Sequence, residues 1–212
     1  TATLVFNINM GATFLNGITH DNSGNLYATD YSGNKIYRFN TATRQHNVFV
    51  SAPGTNPNGI IYDQPNNRCV YVLWGGPVMS VLLSDSSTAT VLSSTLTSID
   101  GIAKDGAGNY YLSSWGGNKV TRYTNTFTSP TTVITGLNQP ADIFYNVLTD
   151  TLAVPNSGST LNNVQFYYFG TTSGIVNQNN ALNELFLFQF DLIFQLKKHK
   201  KSNAFAEDKI EH

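Results

Sequence analysis

The chain is poor in cysteine, in charge and in long apolar runs, and each shortage excludes a class of structure. A single cysteine, Cys69, excludes an internal disulfide. Its place in the apolar run at residues 69–73 predicts a small buried side chain rather than a reactive thiol. Only 12% of residues are charged and the net charge is −1, so no general attraction to nucleic acid or anionic membrane is expected. No segment approaches the roughly 18 apolar residues that a membrane-spanning helix needs.

Two familiar catalytic or metal-binding motifs are also missing. No serine lies in a Gly-x-Ser-x-Gly turn, so the sequence gives no support for a serine hydrolase. The run Asp-Asn-Ser-Gly-Asn at residues 21–25 has the start of a calcium-binding loop, but the glutamate required at loop position 12 is replaced by Ser32. Any chemistry must therefore come from residues that the fold brings together.

What the chain does contain is a repeat of about 42 residues. Its anchors are four isoleucines, Ile18, Ile60, Ile102 and Ile143, spaced by 42, 42 and 41 residues. Each anchor is followed by a strand, an Asx-rich turn, a second strand and then two more strands. Asx side chains bond their own backbone in such turns. Four strands per 40–50 residues is the signature of a β-propeller blade.

The alternation of apolar and polar residues predicts where the later strands of each unit lie. Second strands are expected at residues 26–29 and 110–113, third strands at 35–39 and 119–123, and outer strands at 47–50, 89–92 and 132–134. Residues 2–6 align with these outer strands, which predicts the orphan last strand of a preceding blade.

We therefore predict an all-β protein, a β-propeller with four-stranded blades of about 42 residues. Residues 1–170 carry the orphan outer strand, three full blades and a last blade, residues 171–180 are a linker, and residues 181–212 form a separate segment. We expect N-terminal blades to be missing, which makes the propeller incomplete and leaves an open sheet edge. Closure with four blades is the alternative.

Three motifs carry a resemblance to a known group: Pro-Asn-Gly-Ile at 57–60, Ile-Asp-Gly-Ile at 99–102, and the run at 30–39. They resemble the regucalcin/gluconolactonase (senescence marker protein) superfamily and the related NHL-repeat propellers, over residues 2–170. The resemblance implies six blades around a central channel that holds a divalent cation, usually Ca²⁺. It implies metal ligands at Asn58 and Asp100. The family's remaining ligand, a glutamate near the start of the propeller, has no counterpart here.

A propeller places the same column of every innermost strand around one axis. Asn16, Asn58 and Asp100 occupy that column and are predicted to converge as metal ligands, while the fourth unit has Ala141 there and Asp142 one step on. Their oxygens suit a hard cation, which would polarise a lactone or ester carbonyl. Asp100 or Asp142 would then relay a proton as catalytic residues. The alternative is that Asx before glycine satisfies backbone groups in a turn.

The C-terminal segment carries a second resemblance. The apolar start at residues 181–190 is similar to the opening of the C-terminal sorting domain used for type IX secretion in Bacteroidetes, although the Pro-Asn-Pro turn of such domains is missing. A Lys-rich end follows. This resemblance implies a protein that is secreted or displayed at the cell surface, with the periplasm as a further location. The alternative is a short strand or helix with a solvated basic tail.

Three functional hypotheses follow. The first is an exported calcium-dependent lactonase or esterase-like hydrolase that acts on a small sugar lactone or ester. The second is a non-catalytic extracellular propeller that binds a protein or glycan through its loop faces, where Trp74 and Trp115 occupy equivalent turns. These two indoles either grip a ligand or pack blade against blade. The third is a truncated gene product, a fragment without an independent function.

Overall fold

The computed structural model describes residues 2–170, in which 15 β-strands are grouped into four antiparallel sheets arranged as propeller blades. Blade 1 contains β1 (Leu15–His20), β2 (Asn25–Asp30), β3 (Lys35–Asn40) and β4 (His46–Val50). Blade 2 contains β5 (Pro57–Asp63), β6 (Arg68–Leu73), β7 (Val78–Leu82) and β8 (Thr88–Leu92). Blade 3 contains β9 (Ile99–Lys104), β10 (Tyr110–Ser114), β11 (Lys119–Tyr123) and β12 (Thr131–Ile134). Blade 4 contains β13 (Phe144–Asn146), β14 (Thr151–Gly158) and β15 (Leu161–Tyr168).

The predicted fold class is confirmed, and each predicted strand of blades 1 to 3 lies within a residue or two of its observed bounds. Consecutive strands are hydrogen-bonded neighbours in every blade. Blade 4 has three strands among the described residues, so β15 pairs with β14 alone. The predicted linker at 171–180 and the segment at 181–212 lie outside the described residues. No helix between residues 2 and 170 is long and apolar enough to cross a membrane.

The prediction of an orphan outer strand at residues 2–6 is wrong. Residues 2–14 form no strand, and the side chains of Leu4 and Val5 are each 78% exposed. The segment makes side-chain contacts instead, since the Phe6 ring lies 5.7 Å from that of Phe39 and beneath the Arg44 guanidinium. A strand is maintained by hydrogen bonds to a neighbouring strand, and residues 2–14 pair with none of the described strands.

The hydrophobic core consists of three layers, each between two successive blades. Tyr27 and Tyr71 meet between blades 1 and 2. Val72 and Tyr110 meet between blades 2 and 3. The layer between blades 3 and 4 is built around Tyr111. Blades 2 and 3 thus bury both faces, as near-continuous apolar strands such as β6 require.

Cys69 has the environment that the sequence predicted. Its side chain is fully buried in the layer between blades 1 and 2. Burial raises the pKa of the thiol far above its ordinary value. The thiol therefore stays protonated and acts as a small apolar side chain.

The Asx-rich turns have the bonding that their sequence predicted. The Asp21 carboxylate accepts hydrogen bonds from the backbone N–H and side-chain amide of Asn25, at 2.9 and 2.8 Å, and from the Tyr27 hydroxyl at 3.0 Å. Asp105 repeats the pattern with Asn109 and Tyr111. These turns close the first hairpin of blades 1 and 3 and lie at the end of the propeller opposite the entry of the inner strands.

Candidate functional site

The inner strands of blades 1 to 3 approach the next inner segment closely because the third residue of each strand is a glycine. A Cβ atom on Gly17 would lie 2.6 Å from the Asn58 carbonyl oxygen. A Cβ on Gly59 would lie 2.8 Å from the Asp100 carbonyl oxygen, and one on Gly101 would lie 2.6 Å from the Ile143 nitrogen. Real side chains do not tolerate such distances to backbone atoms. The glycine half of each Asx-Gly motif is therefore a packing requirement.

Two buried hydroxyl groups connect adjacent inner strands beside these glycines. The Thr29 hydroxyl accepts the Gly17 N–H at 2.8 Å and donates to the Asn58 carbonyl at 2.7 Å. The Ser113 hydroxyl repeats this arrangement between Gly101 and Ala141 at 2.8 Å each. Sequence analysis missed both residues. The sequence pattern that identifies them is a hydroxyl residue 12 positions after the glycine in the first and third units.

The close packing brings the side chains of Asn16 and Asn58 together. The Asn16 side-chain nitrogen donates a hydrogen bond to the Asn58 side-chain oxygen, although 42 residues separate them. Asn58 is buried, with 2% exposed, whereas Asn16 is half-buried. This amide pair marks the end of the propeller axis at which β1 and β5 begin.

Asp100 and Asp142 lie at the same end of the propeller axis, on blades 3 and 4. Asp100 is half-buried near the start of β9, one residue before Gly101. The Asp142 side-chain oxygen accepts the N–H of Ile143 at 3.1 Å and lies against Gly101. All four predicted side chains thus lie on successive inner segments at one end of the propeller. We call these four residues the polar column: Asn16, Asn58, Asp100 and Asp142.

Aromatic rings form a row across the blades at this same end. The Tyr31 ring lies 5.9 Å from that of Phe14 and 6.2 Å from that of Trp74, both edge-on. The two indoles of Trp74 and Trp115 are 5.5 Å apart at a tilt of 53°. The Trp115 indole N–H donates to the Ser157 hydroxyl of blade 4 at 3.1 Å. We call these four rings the aromatic row; their mutual contacts show blade-to-blade packing, and all four remain partly exposed.

Tyr31 links the aromatic row electrostatically to the polar column. Burial raises the pKa of its phenol above the ordinary value of 10, and the negative charge of Asp100 raises it further. The phenol is therefore protonated at neutral pH and remains a hydrogen-bond donor beside the Asp100 carboxylate.

The chemistry of the polar column fits a hard cation. No three His, Cys, Asp or Glu side chains cluster as a metal site within residues 2–170. A cation here would therefore need a mixed set of amide and carboxylate oxygens, which Asn16, Asn58, Asp100 and Asp142 supply and which Ca²⁺ accepts. The Asn58 oxygen already accepts the Asn16 amide, so binding there would require the amide pair to rearrange.

A buried ion-pair cluster lies at the opposite end of blades 2 and 3. The Asp63 side chain is 0% exposed and receives Arg68 Nε at 2.8 Å and Lys104 Nζ at 2.5 Å. Burial alone would raise the pKa of Asp63, but bonds from Lys104, Asn66 and Arg68 outweigh it and lower the pKa to about 2. The repeat places Asp63 in the Asx-rich turn of the second unit but gives no indication of these ion pairs, because Lys104 belongs to the next repeat.

Together these features define an incomplete β-propeller with a polar, aromatic-rimmed mouth at one end of its axis. No protein-family model matches the chain, and no curated protein matches it. Solved structures do. A nidogen/laminin complex has a TM-score of 0.67 at 16% identity, covering 76% of this chain and 67% of that one.

Two enzymes have the same architecture. A gluconolactonase of Xanthomonas campestris has a TM-score of 0.65 at 14% identity over 76% of this chain and 60% of that one. A virginiamycin B lyase of Staphylococcus aureus has a TM-score of 0.54 at 18% identity over 74% and 56%. The chain thus spans between 56% and 67% of the length of these structures. They confirm, at the level of fold, the resemblance to gluconolactonase-like and NHL-repeat propellers.

Proposed function

We propose that the chain belongs to an exported β-propeller hydrolase that binds Ca²⁺ at the polar column and cleaves a small sugar lactone or related ester. The observation that carries this proposal is the amide pair of Asn16 and Asn58 beside Asp100 and Asp142, on inner segments packed glycine against backbone. The gluconolactonase with the same fold supports it. The similarity of residues 181–190 to a sorting domain supports export to the cell surface or medium.

The polar residues would hold the cation and accept a proton in this proposal. Asn16, Asn58 and Asp100 would hold the cation with oxygen atoms. Bound Ca²⁺ would supply a Lewis acid for the ester carbonyl. Asp142 or Asp100 would accept the proton of the attacking water. The protonated phenol of Tyr31 would donate a hydrogen bond to the substrate.

Calcium titration of Asp100→Asn tests the metal site. We expect the wild-type chain to bind Ca²⁺ in isothermal titration calorimetry and the variant to bind at least about tenfold more weakly, because a carboxylate oxygen and its charge are lost. Asp85→Asn is the matched control, since Asp85 is an exposed carboxylate in the turn between β7 and β8. Equal calcium affinity in both variants, or no binding to wild type, would remove the metal from the proposal.

Hydrolysis of a sugar lactone tests catalysis independently of calcium binding. Hydrolysis of glucono-δ-lactone by the wild-type chain, lost in both Asp100→Asn and Asp142→Asn, supports the hydrolase. Calcium binding without any hydrolysis would leave a calcium-binding recognition module. Calcium binding and lactone hydrolysis are therefore measured and interpreted separately.

The aromatic row favours a second candidate function, a propeller that binds a glycan or protein at its mouth. The chain has two tryptophans, and both belong to this row. Carbohydrate rings stack on exposed indole faces. A ligand bound at the mouth is expected to shift and partly quench the intrinsic tryptophan fluorescence, and Trp74→Phe should abolish part of that response. An unchanged spectrum on addition of saturating oligosaccharide would count against a glycan.

A further inference from the structure

A cleft of about 840 Å³ opens between blades 2 and 3 at the end opposite the polar column. Asn58 and Asp63 lie five residues apart on β5, which corresponds to about 16 Å along a strand. Arg68 and Lys104 line the cleft, and the buried Asp63 lies behind them. The cleft is thus distinct from the candidate active site at the polar column.

Two cationic side chains, Arg68 and Lys104, and one carboxylate, Asp105, line the cleft. An arginine has five N–H donors and a lysine three, and the bonds to Asp63 engage Arg68 Nε and Lys104 Nζ. Both cationic side chains remain about one-fifth exposed. The acceptors are occupied, because Asp63 receives three side-chain donors and Asp105 receives both Asn109 nitrogens and the Tyr111 hydroxyl.

The remaining lining combines apolar residues with the polar side chains of Gln64, Asn66, Asn125 and Thr126. Val91, Phe127 and Val147 line the cleft, together with a turn that includes Gly106 and Ala107. Ligand pockets of about 300–1,000 Å³ hold small organic molecules when apolar walls are combined with a few polar groups that fix orientation. The spare donors of Arg68 and Lys104 are such groups for a carboxylate.

We infer that this cleft binds a small organic carboxylate, with its charge on Arg68 and Lys104 and its apolar part against Val91 and Phe127. A neutral molecule of the same shape would leave the cationic donors without an anionic partner. The two carboxylates nearby do not compete, because their oxygens are already bonded.

Benzoate and benzamide form a matched pair of probes, since they differ in charge but hardly in shape. In ligand-observed saturation-transfer NMR with the full chain, we expect benzoate to bind and benzamide to bind at least about tenfold more weakly. Gly106→Glu should weaken benzoate binding by at least about tenfold. A Cβ at Gly106 meets no atom within 4 Å, so the new carboxylate enters the cleft without straining the fold.

Gly75→Glu is the control, because a Cβ at Gly75 also meets no atom within 4 Å but the residue follows Trp74 at the other end of the blades. It should leave benzoate binding unchanged, and Gly106→Glu should leave calcium binding unchanged. If Gly106→Glu lowers the Tm, Ala107→Glu is used in its place, because Ala107 is an exposed residue of the same turn and also lines the cleft. Benzoate binding that persists in the glutamate variants, or that benzamide matches, would overturn the inference.

Discussion

Gly101→Ala is expected to destabilise the propeller by about 3 kcal/mol, the upper range for forcing atoms into a packed site. The added Cβ would lie 2.6 Å from the Ile143 nitrogen and 2.7 Å from the Asp142 Cα. Both are backbone atoms, so no side chain can rotate away and blade 4 must shift against blade 3. Urea unfolding followed by circular dichroism measures the loss of stability as a lower urea midpoint.

Gly106→Ala and Gly75→Ala are the controls for this effect. At both positions a Cβ meets no atom within 4 Å, so we expect changes within about 0.5 kcal/mol. Gly59→Ala should resemble Gly101→Ala, because its Cβ would lie 2.8 Å from the Asp100 carbonyl oxygen. A Gly101→Ala protein as stable as Gly106→Ala would show that the inner strands are not packed as described.

These variants also separate the two halves of the Asx-Gly motif. The glycines are required by packing, so their replacement should lower stability whether or not a metal binds. Asp100 is half-buried at the polar column, so Asp100→Asn should change calcium affinity more than stability. One short motif therefore combines a structural residue with a proposed functional one, and the repeat alone does not separate them.

The blades were predictable because the repeat gives four independent samples of one pattern. Strand β11 was predicted at residues 119–123 and is found at Lys119–Tyr123, since both alternation and the preceding Gly-Gly-Asn turn mark it. The same alignment failed at residues 2–6, because an outer strand depends on a neighbour rather than on its own sequence.

The candidate site was only partly predictable. The repeat placed Asn16 and Asn58 in one column, and the structure adds that their side chains touch. The repeat gave no indication of the cleft between blades 2 and 3, because the groups that form the cleft come from different repeats. Asp63 bonds Arg68 within its own blade but Lys104 from the next. Lys104 aligns with Tyr62 in blade 2, so the second ion pair follows no repeated pattern.

The buried ion-pair cluster leads to the second large expected effect. Asp63→Asn should destabilise the chain by about 3 kcal/mol at pH 7, because it leaves two cations, Arg68 and Lys104, around a neutral group in a site where the wild-type side chain is 0% exposed. Asp85→Asn removes an equal charge from an exposed turn and should cost little. Urea unfolding of both variants beside the wild type gives the comparison.

The same variant predicts a pH dependence with a definite sign. The pKa of Asp63 is lowered to about 2 in the fold, against about 3.9 in an unfolded chain. Its contribution is therefore fully present above about pH 4 and is lost as the pH falls toward 2, because the unfolded chain takes up the proton first. The stability difference between wild type and Asp63→Asn should shrink over that interval. A difference that stays constant from pH 7 to pH 2.5 would mean that the ionised carboxylate is not what stabilises the boundary between blades 2 and 3.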